Sequence, residues 1–270
     1  MIAVDERLAE ARSALRDVLP AVARLVRNVS NPDAPAVGSW SAAEVAAHLS
    51  HVVAADTDAI AERPIPESEV STAKVAELTA AMLADDPERD PAALADRITQ
   101  LGAEFDDTVS GPLAPAVSWL GGAMLPPSAV ACHLLEECLV HGHDIAAASG
   151  QRWPIARAHA ALAIEGGALP IISSLPTSFV NQRRVGDFEA RIDIRLRGGG
   201  RRHLVLEDGA LRAEDPSGPA DAHLSADPAS LLLVLLGRMP SWKPLVTGRA
   251  IVWGRRPRKL LQLFSRMSPP

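Results

Sequence analysis

The period at which apolar residues recur changes once along this chain, near residue 180, so the two sides must fold differently. Before the change the spacing is helical: Leu8, Ala11, Leu15, Val18, Val22, Leu25 and Val26 mark an amphipathic helix over 5–27. Ser41 and Glu44 form a capping-box pattern, and Trp40 and Val45 occupy the places of a hydrophobic staple, so a helix is expected from 41 to about 60. Further helices are expected near 71–83, 91–109, 127–149 (closed by Gly150) and 154–169. Four long helices joined by loops imply an up-down four-helix bundle over 1–175. After the change, Phe188–Leu196 alternates apolar and polar residues, as a half-buried strand does. Strands at 203–207, 210–214, 222–225 and 249–253, with helices at 227–237 and 257–267, imply a smaller antiparallel-sheet α+β domain over 180–270.

Composition narrows the class. Apolar residues make up 47 % of the 270, aromatics only 3 %, and there is no Tyr, so the core must be built from Ala, Val, Leu and Ile. The longest apolar run, Leu231–Leu236, is far too short to span a bilayer. The start of the chain has no basic and apolar leader pattern. A cytoplasmic protein with no membrane partner is expected, as a monomer or homodimer. Cys132 and Cys138 fall on one helix, pointing apart, and read as core thiols rather than a disulfide. Residues 1–180 carry 11 Lys+Arg against 24 Asp+Glu, and residues 181–270 carry 16 against 9. The basic part lacks an aromatic stacking platform, so no nucleic-acid partner is expected. Docking on acidic groups, or guiding a small anionic substrate, fits its charge equally well.

The chemistry concentrates on two helices. Val130, Leu134, Glu137, His141, Asp144 and Ala148 follow a 4-3-4-3-4 spacing, a single helical seam with apolar ends. Glu137, His141 and Asp144 interrupt a stripe that should be buried, and an unpartnered carboxylate there costs several kcal/mol. His48 interrupts the inward face of Val45, Leu49 and Val52 in the same way. A Glu and a His four residues apart reach one point beside their helix, and a His from a neighbouring helix completes three ligands. Two His and one Glu with an open fourth position is a catalytic zinc pattern; nickel, iron or another divalent ion suits the same donors. Asp144 is placed to hold a ligand histidine by its other ring nitrogen. The plainer reading of Glu137 and His141 is a helix-stabilising pair. His133, Glu136 and His143 lie off the seam and read as solvated rim; His51 reads as exposed, or as an alternative ligand.

Trp40-Ser41-Ala42-Ala43-Glu44-Val45-Ala46-Ala47-His48-Leu49 resembles the first signature of the mycothiol-dependent maleylpyruvate isomerase family, within the DinB-like helical bundles. Glu137-Cys138-Leu139-Val140-His141-Gly142-His143-Asp144 is similar to its second signature. The resemblance places the family's metal ligands on His48, Glu137 and His141 and implies a divalent ion, zinc above others, with mycothiol as thiol cosubstrate. It extends to the C-terminal part, which looks like the family's small domain, related to sterol carrier proteins. His143 stands where relatives often have Trp, which leaves the ligands intact and alters the pocket wall.

The implied activity is that of a thiol-dependent metalloenzyme. A thiolate at the metal attacks a small electrophile, giving cis–trans isomerisation or S-transfer. For a maleylpyruvate-like dicarboxylate, Arg238 and Arg249 are the candidate anion contacts, since each borders an apolar element. Two other classes stay open: a non-catalytic protein holding a metal and a lipid or small ligand, and a regulatory module binding a partner through its basic face.

Overall fold

A computed structural model describes residues 2–69 and 72–267. The chain forms two compact units, Met1–Pro154 and Ile155–Pro270.

In the first unit four helices form a ring: α1 (Ile2–Arg27), α2 (Ala42–Ile60), α4 (Pro91–Thr108) and α5 (Pro127–Ser149). α1 packs on α4 and α5, and α2 packs on the same two from the other side. A shorter α3 (Val75–Asp85) follows α2. Of the helix expected over 71–83, Ser71 lies outside the described residues. A two-stranded ribbon, β1 (Pro35–Val37) with β2 (Trp40–Ser41), leads into α2, and a second, β3 (Val117–Ser118) with β4 (Met124–Leu125), leads into α5. The capping box is formed: Glu44 N–H donates to Ser41 Oγ at 3.2 Å, and Ser41 N–H to Glu44 Oε2 at 2.8 Å. That fixes where α2 begins, and so the height at which His48 stands in the bundle.

α5 is the most enclosed helix. Val130, Ala131, Cys132, Leu134, Leu135 and Cys138 are all fully buried, so apolar contact surrounds its first half rather than one stripe. Gly150, in the left-handed conformation at φ 65°, ends it. Gly142 meets a different demand. A Cβ there would lie 2.3 Å from Trp153, whose indole N–H donates to Leu139 O at 2.9 Å. Only a residue without a side chain lets the indole lie against the helix.

The second unit holds α6 (Arg157–Ala163), one π turn (Ile164–Ala168), α7 (Leu169–Ser174) and the short α8 (Gln182–Val185). A five-stranded sheet follows, from β5 (Ala190–Leu196), β6 (Arg201–Glu207), β7 (Ala210–Glu214), β8 (Ala222–Ala226) and β9 (Ala250–Trp253). The strand order is β7-β6-β5-β8-β9. All pairings are antiparallel except β5 with β8, which run parallel. Helices α9 (Pro228–Leu235), α10 (Trp242–Val246) and α11 (Arg258–Phe264) complete it. Ile192, Ile194 and Leu196 of β5 face the same side as Leu224 and Ala226 of β8 and form the apolar core with Leu231, Leu232, Leu260 and Leu263.

The units divide about twenty residues before the expected change of domain at 175–180, because the helical segment 157–174 packs within the second unit. There α6 lies against α9, and α7 against β7. Several arginines of the basic part are also paired inside this unit. Arg195 and Arg201 bond to the fully buried Asp193, Arg191 to Glu214, and Arg256 to Asp221. Their charge is less available to a partner than the residue counts suggest.

The Gly142 contact gives a direct test. Gly142→Ala should lower the unfolding free energy by about 1–3 kcal/mol in urea titration, and adding Trp153→Ala should remove the extra penalty of the methyl group. An unchanged urea midpoint for Gly142→Ala would contradict the close approach.

Candidate metal centre

His48, Glu137 and His141 converge. Glu137 Oε2 lies 3.2 Å from His141 Nε2 and 3.5 Å from His48 Nε2. One donor atom from each residue lies within 4.8 Å of the other two. The imidazoles meet edge to face, centroids 5.0 Å apart and planes at 87°, so their nitrogens aim at one region without stacking. α5 supplies Glu137 and His141 one turn apart, and α2 supplies His48 across the α2–α5 contact. His141 is buried, while His48 and Glu137 keep 15 % and 20 % of their side chains exposed, so the cluster is not fully enclosed. Two imidazoles and one carboxylate match a catalytic zinc donor set. Among the described residues no fourth protein donor joins it.

The electrostatics favour ligation by His48. Burial pushes its imidazole below the ordinary histidine value, so it presents a lone pair. Burial also opposes charge on His141, but the hydrogen bonds to Asp144 and Glu137 outweigh it and raise the pKa to about 9. Its Nδ1–H donates to Asp144 Oδ2 at 3.0 Å, which fixes the ring and turns Nε2 toward Glu137. Glu137 is buried against its charge, yet His141 and His48 hold its carboxyl well below the usual range. The carboxylate is therefore charged and compensated.

Several neighbours differ from the sequence expectation. His133 and Glu136 are not solvated rim. His133 Nδ1–H donates to the buried Asp56 at 2.7 Å, and its Nε2 lies 3.6 Å from Glu137 Oε1. Trp119 donates its indole N–H to the other Asp56 oxygen at 2.9 Å. Glu136 is 6 % exposed, and burial raises its carboxyl to about 8. His51 is tied to Asp86 at 2.8 Å, with Arg97 on the same carboxylate. Trp40 packs on His48 at 5.0 Å between ring centroids. Asp56 and Trp119 come from distant parts of the sequence and carry no local motif; the signal for His133 was its place one turn before Glu137. Both cysteines are buried, and burial pushes both thiols up. Arg238 and Arg249 both lie in the second unit. Arg238 donates to Leu236 O at 2.7 Å. Arg249 is exposed, and its carbonyl accepts from Asp227 N–H at 2.7 Å.

A four-helix bundle with a histidine–carboxylate cluster between two helices, joined to a small α+β unit, defines the class. Residues 8–146 match the family model described as the mycothiol maleylpyruvate isomerase N-terminal domain. This match covers more than half of the chain, and the chain belongs to that family. The fold is similar to a crystal structure of the mycothiol-dependent maleylpyruvate isomerase, at 15 % identity and a TM-score of 0.52, over 87 % of this chain and 90 % of that one. A histidine-to-alanine mutant of that isomerase is similar at 14 % identity and a TM-score of 0.52, over 86 % and 90 %. A search of curated proteins finds no sequence match. No described helix is long and apolar enough to cross a membrane.

In the metal-free protein His48 should be neutral at neutral pH, while His141 keeps its second proton until pH passes about 9. The His141 pKa is raised on folding, so its charge stabilises the metal-free fold at low and neutral pH and ceases to do so as pH rises through that value. Proton–nitrogen spectra of the imidazole rings read both states. Asp144→Asn should move the His141 midpoint down toward the ordinary histidine value; an unmoved midpoint would show that Asp144 does not hold it.

Proposed function

We propose that this chain is a mycothiol-dependent metalloenzyme, with His48, Glu137 and His141 as ligands of a divalent ion, most naturally zinc. The observation that carries the reading is the convergence of two imidazole nitrogens and one carboxylate oxygen from α2 and α5 on one partly exposed point. When bound, the ion supplies a Lewis acid that favours the thiolate over the thiol.

The chain's own residues do the rest. Neutral His48 and Asp144-held His141 keep their Nε2 atoms aimed at the point, and Glu137 brings a compensated negative charge. Trp40 lies against His48 and restricts its ring. The thiol must come from outside, since the only two cysteines are buried and hard to ionise. An external thiolate adds to an activated double bond, the former double bond rotates, and the thiolate leaves with the geometry changed. A substrate with a leaving group would instead give S-transfer.

A second reading, a non-catalytic binding protein, has weaker support: the apolar hollow in the second unit lined by Leu231, Val234, Leu245, Leu260, Leu261 and Phe264 has a volume of about 20 Å³, room for little more than a water-sized group.

Metal analysis of the purified protein should give about one divalent ion per chain, lost in His48→Ala and in Glu137→Ala. With mycothiol and maleylpyruvate the wild type should isomerise the substrate without net thiol consumption, and with an alkylating electrophile it should consume thiol. Equal metal content in all three proteins would overturn the ligand assignment. Metal binding without either thiol reaction would favour the binding-only reading.

A further inference from the structure

Asp56, His133 and Trp119 form a closed arrangement beside Glu137 that the ligand set itself does not use. Asp56 stands on α2 and is 2 % exposed. One of its oxygens accepts from Trp119 Nε1–H at 2.9 Å, the other from His133 Nδ1–H at 2.7 Å. Trp119 also packs edge-on against the His133 ring, centroids 4.7 Å apart and planes at 70°. The imidazole is thus held at one nitrogen and across its face. Its remaining nitrogen, Nε2, lies 3.6 Å from Glu137 Oε1, an ion-pair distance just beyond a hydrogen bond. The other Glu137 oxygen, Oε2, is the one that meets His48 and His141.

We propose that Asp56 and His133 are a positioning pair that turns the Glu137 carboxylate so that one oxygen, Oε2, is offered to the ion and the other is held away from it. This rests on the metal reading above and deepens it. A glutamate side chain has three rotatable bonds, and unrestrained it can present either oxygen or both. His133 stands one helical turn before Glu137 on the same helix, so the separation of their backbones is fixed. Asp56 fixes the ring from the facing helix, and Trp119 fixes Asp56. The chain Trp119–Asp56–His133–Glu137 therefore reaches the proposed ligand from the side opposite to Asp144, which reaches His141. Groups that orient a ligand in this manner affect metal affinity by about 10–100-fold when removed. A role confined to packing would affect stability without touching the metal.

Cobalt(II) titration of the full chain separates the two, since its visible bands report coordination number and geometry. His133→Leu keeps the bulk and loses the nitrogens; His133→Gln places an amide nitrogen near the position of Nε2. His133→Leu should bind cobalt about 10–100-fold more weakly and with altered bands, while His133→Gln recovers most of the affinity and the wild-type bands. Circular dichroism and melting of the metal-free proteins show that each is folded, and His133→Ala replaces the Leu variant should that one not fold. Wild-type affinity and bands in His133→Leu, or equal losses in Leu and Gln variants, would overturn the positioning pair. His48→Ala serves as the control on the metal itself. Cobalt bound as tightly by His48→Ala as by the wild type overturns the metal reading and the pair with it, whereas a His48→Ala that fails to bind, beside an unaffected His133→Leu, overturns the pair alone.

Discussion

The charge on Glu137 is the constraint from which the first unit is organised. A carboxylate between packed helices costs several kcal/mol unless cations or donors surround it. Here it faces His48, His133 and His141, and two of those three are themselves tied to buried carboxylates, Asp56 and Asp144. Acid and imidazole alternate through the bundle, so removing one member leaves a neighbour buried and unpaired. The network spans α2 and α5, and it forms only if those helices keep their register. The capping box at Ser41 and Glu44 sets that register from one end, two turns before His48.

The sequence allowed much of this to be read, for definable reasons. His48, Glu137, His141 and Asp144 stand out because each is ionisable on an otherwise apolar face, a mismatch visible without any tertiary information. His133 and Glu136 do not, because the 4-3-4-3-4 spacing marks a single seam on α5 and both lie off it. That helix is enclosed nearly all round, so it has no solvated rim for them to occupy. Asp56 and Trp119 could not be found locally. Asp56 lies 77 positions from His133 and 63 from Trp119 in the chain, and nothing in periodicity encodes those two bonds.

The same limit explains the fold differences. The apolar spacing of 157–174 identifies a helix but not the surface that covers it, and that surface proves to be α9 and β7. Alternation along Ala190–Leu196 and Ala222–Ala226 identifies strands but not their relative direction, and these two run parallel. Charge counts have a matching weakness. The surplus of arginine after residue 180 suggested a surface for anions, yet Asp193 alone engages Arg195 and Arg201. A count of charges cannot distinguish an arginine that waits for a ligand from one that already has a partner.

The segment from Glu137 to Asp144 concentrates several physical demands in eight residues. Every position but one meets a physical demand. Glu137 and His141 stand one turn apart and so reach a common point; Asp144, three residues further, reaches back to the second nitrogen of His141. Gly142 carries no side chain because the Trp153 indole fills that space. Cys138, Leu139 and Val140 need only be apolar and buried. His143 alone is under none of these demands: it is half-buried and outside the donor set. Substitution there leaves the converging side chains and Asp144 untouched, so His143 is where this frame leaves room for a different residue.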